Sequence, residues 1–140
     1  MKGHILGKKI EIISATAMLL SVAKADEIIE NHEIKSIHSI VSDFFQITSK
    51  EEVDSFINTA KEKLNNAIDI FEFGKVLNKN WTYQDKIDFI CCMFEVGFSD
   101  GELYYLEEHM IKKISTILNV NHSDLIESKI EMKKIFKDNY

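Results

Sequence analysis

The sequence predicts an all-α fold in which residues 1–140 form one domain. A chain of 140 residues has the size of a single domain and is long enough to bury a core without disulfides or metals. It contains no proline and only five glycines, so nothing breaks a helix and the turn residues of a β-sandwich are scarce. Apolar residues also recur at helical spacing along most of the chain.

Seven segments have the apolar pattern of a helix. They span about residues 8–25, 30–45, 49–64, 67–77, 82–98, 103–118 and 122–137. The first is apolar on most sides, which predicts a central position. Lysines precede it and Ala23-Lys24-Ala25 ends it, as in a cleavable secretory signal. Glu11 interrupts its apolar run, which is too short to span a membrane, so we expect this segment to be retained as the first helix.

Capping residues mark the starts of two further helices. Ser49 and Glu52 have the spacing of a capping box at the start of the third helix, and Thr82 opens the fifth helix in a similar pattern. Gly101 can adopt the left-handed conformation that ends a helix. The predicted connections between helices include residues 26–29, 78–80, 99–101 and 119–121.

An internal repeat relates two parts of the chain at a separation of 74 residues. The repeated residues are Val22, Asp26, Glu33, Ile37 and Ile40 in the first part, and Val96, Asp100, Glu107, Ile111 and Ile114 in the second. Core helices commonly share apolar spacing, so the matching acidic residues carry most of the information. We therefore predict two helix–turn–helix units, about residues 10–47 and 82–120, related by a pseudo-twofold axis.

The repeat places an aspartate at each turn and a glutamate seven residues later, on the apolar face of the next helix. These residues are Asp26, Glu33, Asp100 and Glu107. A carboxylate that faces the core needs a partner, because burial of an unpaired charge is very unfavourable. In one interpretation the four carboxylates accept hydrogen bonds from backbone N–H groups and close the fold. In the other they hold a divalent cation, with Glu102 as a further ligand in the second unit.

The residues alone leave both interpretations open. All-oxygen ligands favour Ca²⁺, Mg²⁺ or Mn²⁺ before Zn²⁺. The spacing is not that of an EF-hand, because Tyr104 stands where that loop requires a ligand. The first unit is the weaker candidate. It has Glu27 where the second unit has Gly101, and it has no counterpart of Glu102.

The sequence resembles the tellurite-resistance TerB-like family from about Ile10 to Ile130. The resembling segments are Ala23–Asp26 with Glu33, Phe71–Asn78, Phe94–Leu103, Leu106–Ile111 and Asn121–Leu125. The most specific part is Asp-Gly-Glu at residues 100–102 followed by Glu-Glu-His at residues 107–109. The resemblance implies a bundle of about seven helices in a bacterial, cytoplasmic protein. It also implies divalent-cation binding at the acidic turns, a link to tellurite and general stress resistance, and action with partner proteins near the membrane.

Composition and motifs also bear on the class of function. The net charge of −6 argues against a nucleic-acid partner. The adjacent Cys91 and Cys92 form no disulfide framework, which indicates a reducing compartment. No phosphate-binding glycine loop and no nucleophile elbow is present, so we expect no enzyme and no cofactor besides the candidate divalent cation.

The sequence as a whole therefore predicts a non-enzymatic, stress-associated module. We expect it to bind a divalent cation, a protein partner or both through its acidic turns. The alternative is a metal-free interaction scaffold in which these turns are purely structural. The first hypothesis predicts that the properties of the acidic turns depend on a bound cation, and the second predicts that they do not. The oligomeric state does not follow from the sequence.

Overall fold

A computed structural model describes residues 2–66 and 68–138. These residues form seven helices: α1 (Lys2–Ala23), α2 (Asn31–Phe44), α3 (Lys50–Asn65), α4 (Ile70–Asn80), α5 (Tyr83–Gly97), α6 (Tyr105–Ile117) and α7 (His122–Asp138). No strand occurs in the described part of the chain. The prediction of an all-α bundle of about seven helices is confirmed.

Helix α1 lies at the centre of the bundle, as its apolar sequence predicts. It contacts α2, α3, α4, α5 and α6. Its middle and C-terminal residues are buried almost without interruption, from Ser14 to Leu20. The polar Thr16 is tolerated there because its hydroxyl donates to the Ile12 carbonyl at 2.7 Å. Within the described residues, no helix is long and apolar enough to cross a membrane.

The predicted capping residues begin their helices as expected. Ser49 Oγ accepts a hydrogen bond from the Glu52 N–H at 3.2 Å at the start of α3. Thr82 and Asp85 form a reciprocal capping box at the start of α5. Helix α4 begins at Ile70, where Asp69 Oδ1 accepts from the Phe71 N–H at 2.9 Å. The predicted earlier start at residue 67 lies outside the described residues.

The predicted loop at residues 78–80 is wrong, because α4 continues through these residues. Asn78 is held by a tertiary contact: its side-chain amide donates to the Ile117 carbonyl of α6 at 3.0 Å. Asn80 donates to the Val76 carbonyl one turn earlier at 2.7 Å. The helix then ends at Asn80, and the extended backbone of Trp81 leads into α5.

Aromatic side chains fill one end of the core, where α1, α2 and α5 meet. The Trp81 ring lies 4.9 Å from Phe89 and 5.4 Å from Phe44 in edge or tilted geometry. The Trp81 indole N–H donates to Glu11 Oε2 at 3.0 Å, which explains the acidic residue within the apolar first helix. Helix α7 covers the other side of α5 and also contacts α6.

Candidate functional site: the paired acidic turns

The two turns of the repeat have the same hydrogen bonds. After α1, the Ile28 N–H donates to Asp26 Oδ1 at 3.2 Å. After α5, the Glu102 N–H donates to Asp100 Oδ1 at 3.1 Å. Each aspartate therefore stabilises its own turn, as the turn-closure interpretation predicts. The two turns keep the same hydrogen bond although their other residues differ, because the donor is a backbone N–H and the acceptor is the shared aspartate.

The residue after each aspartate has a left-handed backbone. Gly101 has φ 96° and Glu27 has φ 70°. A residue with a Cβ is strained in this region, whereas glycine is not. The first turn therefore has the same shape as the second, although its sequence is less suited to it.

This strain predicts opposite effects for two substitutions. Glu27→Gly is expected to raise the free energy of unfolding by about 0.5–1 kcal/mol, because the left-handed backbone is then unstrained. Gly101→Ala is expected to lower it by about 1–2 kcal/mol. Urea denaturation measures both. Glu27→Ala is the matched control, since it removes the carboxylate but keeps the Cβ. Stabilisation by Ala as large as that by Gly would contradict this account.

Each turn is followed by a buried glutamate that closes the start of its helix. Glu33 is 3% exposed and Glu107 is 4% exposed. Glu33 Oε1 accepts from the N–H of Glu30, the N-cap residue of α2, at 3.0 Å. Glu107 accepts from the backbone N–H of Tyr104, the N-cap residue of α6. Both glutamates thus have the role that turn closure requires.

The two buried glutamates also meet each other. Their carboxyl groups are hydrogen-bonded side chain to side chain, so one of them carries a proton. Burial raises the pKa of Glu107 to about 8, with further contributions from Glu33 and from the more distant charge of Asp26. The hydrogen bond from Tyr104 acts in the opposite direction. The pair therefore shares a proton at neutral pH.

A cavity of about 20 Å³ lies at this junction, and we call it the acidic-turn cavity. It is lined by Asp26, Glu30, His32, Glu33, Gly97, Asp100, Tyr104 and Glu107. Its volume is enough for one water molecule or one bare ion, because a single water needs roughly 10–15 Å³ by the same measure. Both halves of the repeat thus contribute to one small polar site.

A histidine links the two turns beside this cavity. His32 Nδ1 lies 2.7 Å from Ser99 Oγ, and His32 Nε2 lies 3.0 Å from Glu30 Oε2. Ser99 belongs to the second turn, whereas His32 and Glu30 belong to the start of α2. The contact joins residues 67 positions apart in the sequence.

A comparison with protein families matches most of the chain. A family model described as tellurite resistance protein TerB matches residues 13–130. The chain belongs to the TerB family. The matched residues include both acidic turns and all five carboxylates that line the cavity.

One solved structure has the same fold as this TerB-family chain. It is PG1108, a protein of unknown function from Porphyromonas gingivalis W83. The two are 19% identical, with a TM-score of 0.67, and the alignment covers 90% of this chain and 95% of that one. Because the sequence identity is low, the similarity between the two proteins shows a shared fold and no more. A search of curated proteins finds no match.

The structure brings together four of the five predicted site residues of this TerB-family chain. Asp26, Glu33, Asp100 and Glu107 line the acidic-turn cavity. Glu102 lines a neighbouring cleft instead, and its carboxylate is hydrogen-bonded to the Tyr104 hydroxyl.

Sequence reasoning missed four polar residues that line or adjoin the cavity. They are Glu30, His32, Ser99 and Tyr104. A signal for them existed in the repeat. His32 directly precedes Glu33, and Ser99 directly precedes Asp100. Residues next to a repeated motif are therefore worth examining as parts of the same site.

The acidic lining and the volume of the cavity suit a divalent cation. The side chains, however, are not arranged as a complete set of ligands. Among the described residues, no three His, Cys, Asp or Glu side chains are arranged so that they could hold a metal ion as they stand. Glu33 and Glu107 supply two buried carboxyls. Asp26 and Asp100 are exposed at the rim, where each accepts a backbone hydrogen bond within its own turn.

The two cysteines lie outside this site and have the properties of packed residues. Both are free thiols in α5. Burial raises the pKa of Cys91, and it raises the pKa of Cys92 to about 12. Because the thiolate is the reactive and metal-binding form, neither cysteine is activated for chemistry at neutral pH.

Proposed function

We propose that this TerB-family chain is a non-enzymatic helical module whose acidic-turn cavity binds one divalent cation in exchange for a proton. The observation that carries the proposal is the contact between Glu33 and Glu107, two carboxyl groups buried against each other. Two carboxylates in contact repel unless a proton or a cation lies between them. A cation that replaced the proton would neutralise both.

The ligands that this proposal requires are all present in the two turns. Glu33 and Glu107 would bind from inside the bundle, and Asp26 and Asp100 from its rim. Carboxylate oxygens favour Ca²⁺, Mg²⁺ or Mn²⁺ before Zn²⁺. His32 adds one imidazole to the lining, but its two nitrogens contact Ser99 and Glu30. We therefore keep the preference for the hard cations.

The size of the cavity supports a non-enzymatic role. The Glu33–Glu107 pair is a perturbed acid–base pair, and Ser99, His32 and Glu30 are hydrogen-bonded in series. Both arrangements occur in hydrolases. The adjoining space of about 20 Å³ holds a water molecule or an ion and excludes an organic substrate. Binding is thus a better account of these groups than catalysis.

A metal-free scaffold is the second candidate, and one observation favours it. Each of the four carboxylates of the repeat already accepts a hydrogen bond from a backbone N–H. In this version the shared proton is permanent, the turns only close the fold, and a partner binds elsewhere on the bundle. We place the module, in either version, in the cytoplasm and in a stress-associated role, the latter in line with the family's description.

Thermal unfolding of the metal-stripped protein separates the two versions. A bound cation at about 100 times its dissociation constant adds roughly 2.7 kcal/mol to the free energy of unfolding. We expect Ca²⁺, Mg²⁺ or Mn²⁺ at millimolar concentration to raise the unfolding midpoint by several degrees. The rise should be larger at pH 8 than at pH 6, because protons compete with the cation.

Two aspartate variants locate the effect. Asp100→Asn should abolish the rise while keeping the turn, since the amide oxygen still accepts the Glu102 N–H. Asp88→Asn is the matched control, because Asp88 is exposed on α5 and does not line the cavity. No rise with any cation would overturn the cation proposal and favour the scaffold. A rise that persists in Asp100→Asn would place the cation elsewhere.

A further inference from the structure

A second and much larger cavity lies beside the second acidic turn, next to the acidic-turn cavity. It has a volume of about 620 Å³ and lies between the turn at residues 101–104 and the C-terminal half of α7. Volumes of this size are typical of sites for small organic ligands, which range from about 300 to 1,000 Å³. We call it the lysine cleft, after Lys129, Lys133 and Lys137 on its α7 wall.

The base of the lysine cleft is apolar and aromatic. Phe98 is buried, and its ring stacks on Phe136 of α7 with centroids 6.0 Å apart and planes 22° apart. Leu103 extends the same surface from the turn. Leu103 and Phe136 are only half-buried, and a ligand with a flat or aliphatic body would cover the apolar surface that they still expose to water.

One wall of the cleft is positively charged in a protein with a net charge of −6. The three lysines recur every four residues, so they lie on one face of α7. Lys129 is paired with Glu108, which lies on the other side of the cleft. Lys133 and Lys137 are exposed and form no ion pair with any side chain that the structure describes. The cleft lining therefore carries three lysines against two carboxylates, which is a net charge of +1.

The negative groups of the cleft are already engaged. Glu108 pairs with Lys129, and Glu102 is hydrogen-bonded to the Tyr104 hydroxyl. Their charges still reduce the field of the lysines, but neither carboxylate pairs with Lys133 or Lys137. The cleft as a whole combines an apolar base with two unpaired cations at one edge.

We propose that the lysine cleft binds a small amphipathic anion, with an aromatic or aliphatic body on Leu103 and Phe136 and an acidic group beside Lys133 and Lys137. The acidic group is a carboxylate, sulfonate or phosphate. The cleft and the acidic-turn cavity share Tyr104, but binding in the cleft does not require a cation. The proposal therefore stands independently of the proposed function.

Two fluorescent probes of the same aromatic frame test the proposal. One is 1-anilinonaphthalene-8-sulfonate, which carries the acidic group, and the other is N-phenyl-1-naphthylamine, which lacks it. Both are titrated against the full chain at pH 7 in the presence of a chelator, so that no cation contributes. We expect the sulfonate to bind about tenfold more tightly or better, which is the size of one favourable charge contact near a protein surface.

Matched lysine variants show whether the cleft is the site. Lys133→Glu should weaken sulfonate binding about tenfold and leave the neutral probe unchanged. Lys134→Glu is the control, because Lys134 is exposed on the same helix but does not line the cleft. Near-UV circular dichroism confirms that each variant is folded. Equal effects of the two substitutions, equal affinity for the two probes, or no binding of the sulfonate would each overturn the proposal.

Discussion

Raising the pH from 6 to 9 is expected to lower the free energy of unfolding by about 2–3 kcal/mol through Glu107. Burial against Glu33 raises the pKa of Glu107 to about 8, whereas an unfolded glutamate titrates near its ordinary value of 4.5. Between these two values the folded state binds the proton that the unfolded state has lost. The resulting stability is complete below the unfolded pKa and disappears as the pH rises through the folded one.

Urea denaturation at a series of pH values measures this effect, and Glu107→Gln assigns it. Glutamine imitates the protonated carboxyl, so the variant should lose most of the pH dependence and be more stable than the wild type at pH 9. Other groups also contribute to the pH dependence of stability. One is Glu95, whose pKa is raised by burial and by the charge of Asp43. Subtracting the pH dependence of the variant from that of the wild type removes the contribution of these groups. The same pH dependence in both proteins would contradict the buried pair.

The second large effect is expected in the aromatic part of the core, where Phe89→Ala should lower the free energy of unfolding by about 3–5 kcal/mol. Phe89 is 1% exposed and contacts the rings of Trp81 and Phe44. Truncation removes its buried surface and leaves a cavity that the neighbouring rings are too rigid to fill.

Phe71→Ala is the matched control for this prediction. Phe71 is the same residue type but is 53% exposed on α4, so its truncation should change the free energy of unfolding by about 0.5 kcal/mol or less. Urea denaturation at pH 7 compares the two variants. A loss for Phe89→Ala no larger than that for Phe71→Ala would show that the aromatic cluster is not packed as described.

Local signals in the sequence predict most of the fold. The capping patterns at Ser49 and Thr82 identify two helix starts correctly, because capping depends on residues only three positions apart. The end of α4 is not predictable in this way. Asn78 favours a loop by composition, but its side chain is held by the Ile117 carbonyl of another helix. Such a contact has no signature in the local sequence.

The site is predictable in its parts but not in its assembly. The repeat identifies Asp26, Glu33, Asp100 and Glu107, because each turn needs the same local hydrogen bonds. That the two glutamates touch depends on how the two halves pack, and no spacing within either half specifies this. The link from His32 to Ser99 arises in the same way.

The most direct test of the central claim is a ¹³C NMR titration of the glutamate side-chain carboxyls. The account predicts that Glu107 titrates near pH 8 in the metal-stripped protein and well below this value when Ca²⁺ or Mg²⁺ saturates the cavity. Titration of Glu107 at its ordinary value of 4.5 in the metal-stripped protein would contradict the buried, proton-sharing pair. If the titration midpoint of Glu107 is near pH 8 and neither cation changes it, the buried pair is supported and cation binding is contradicted.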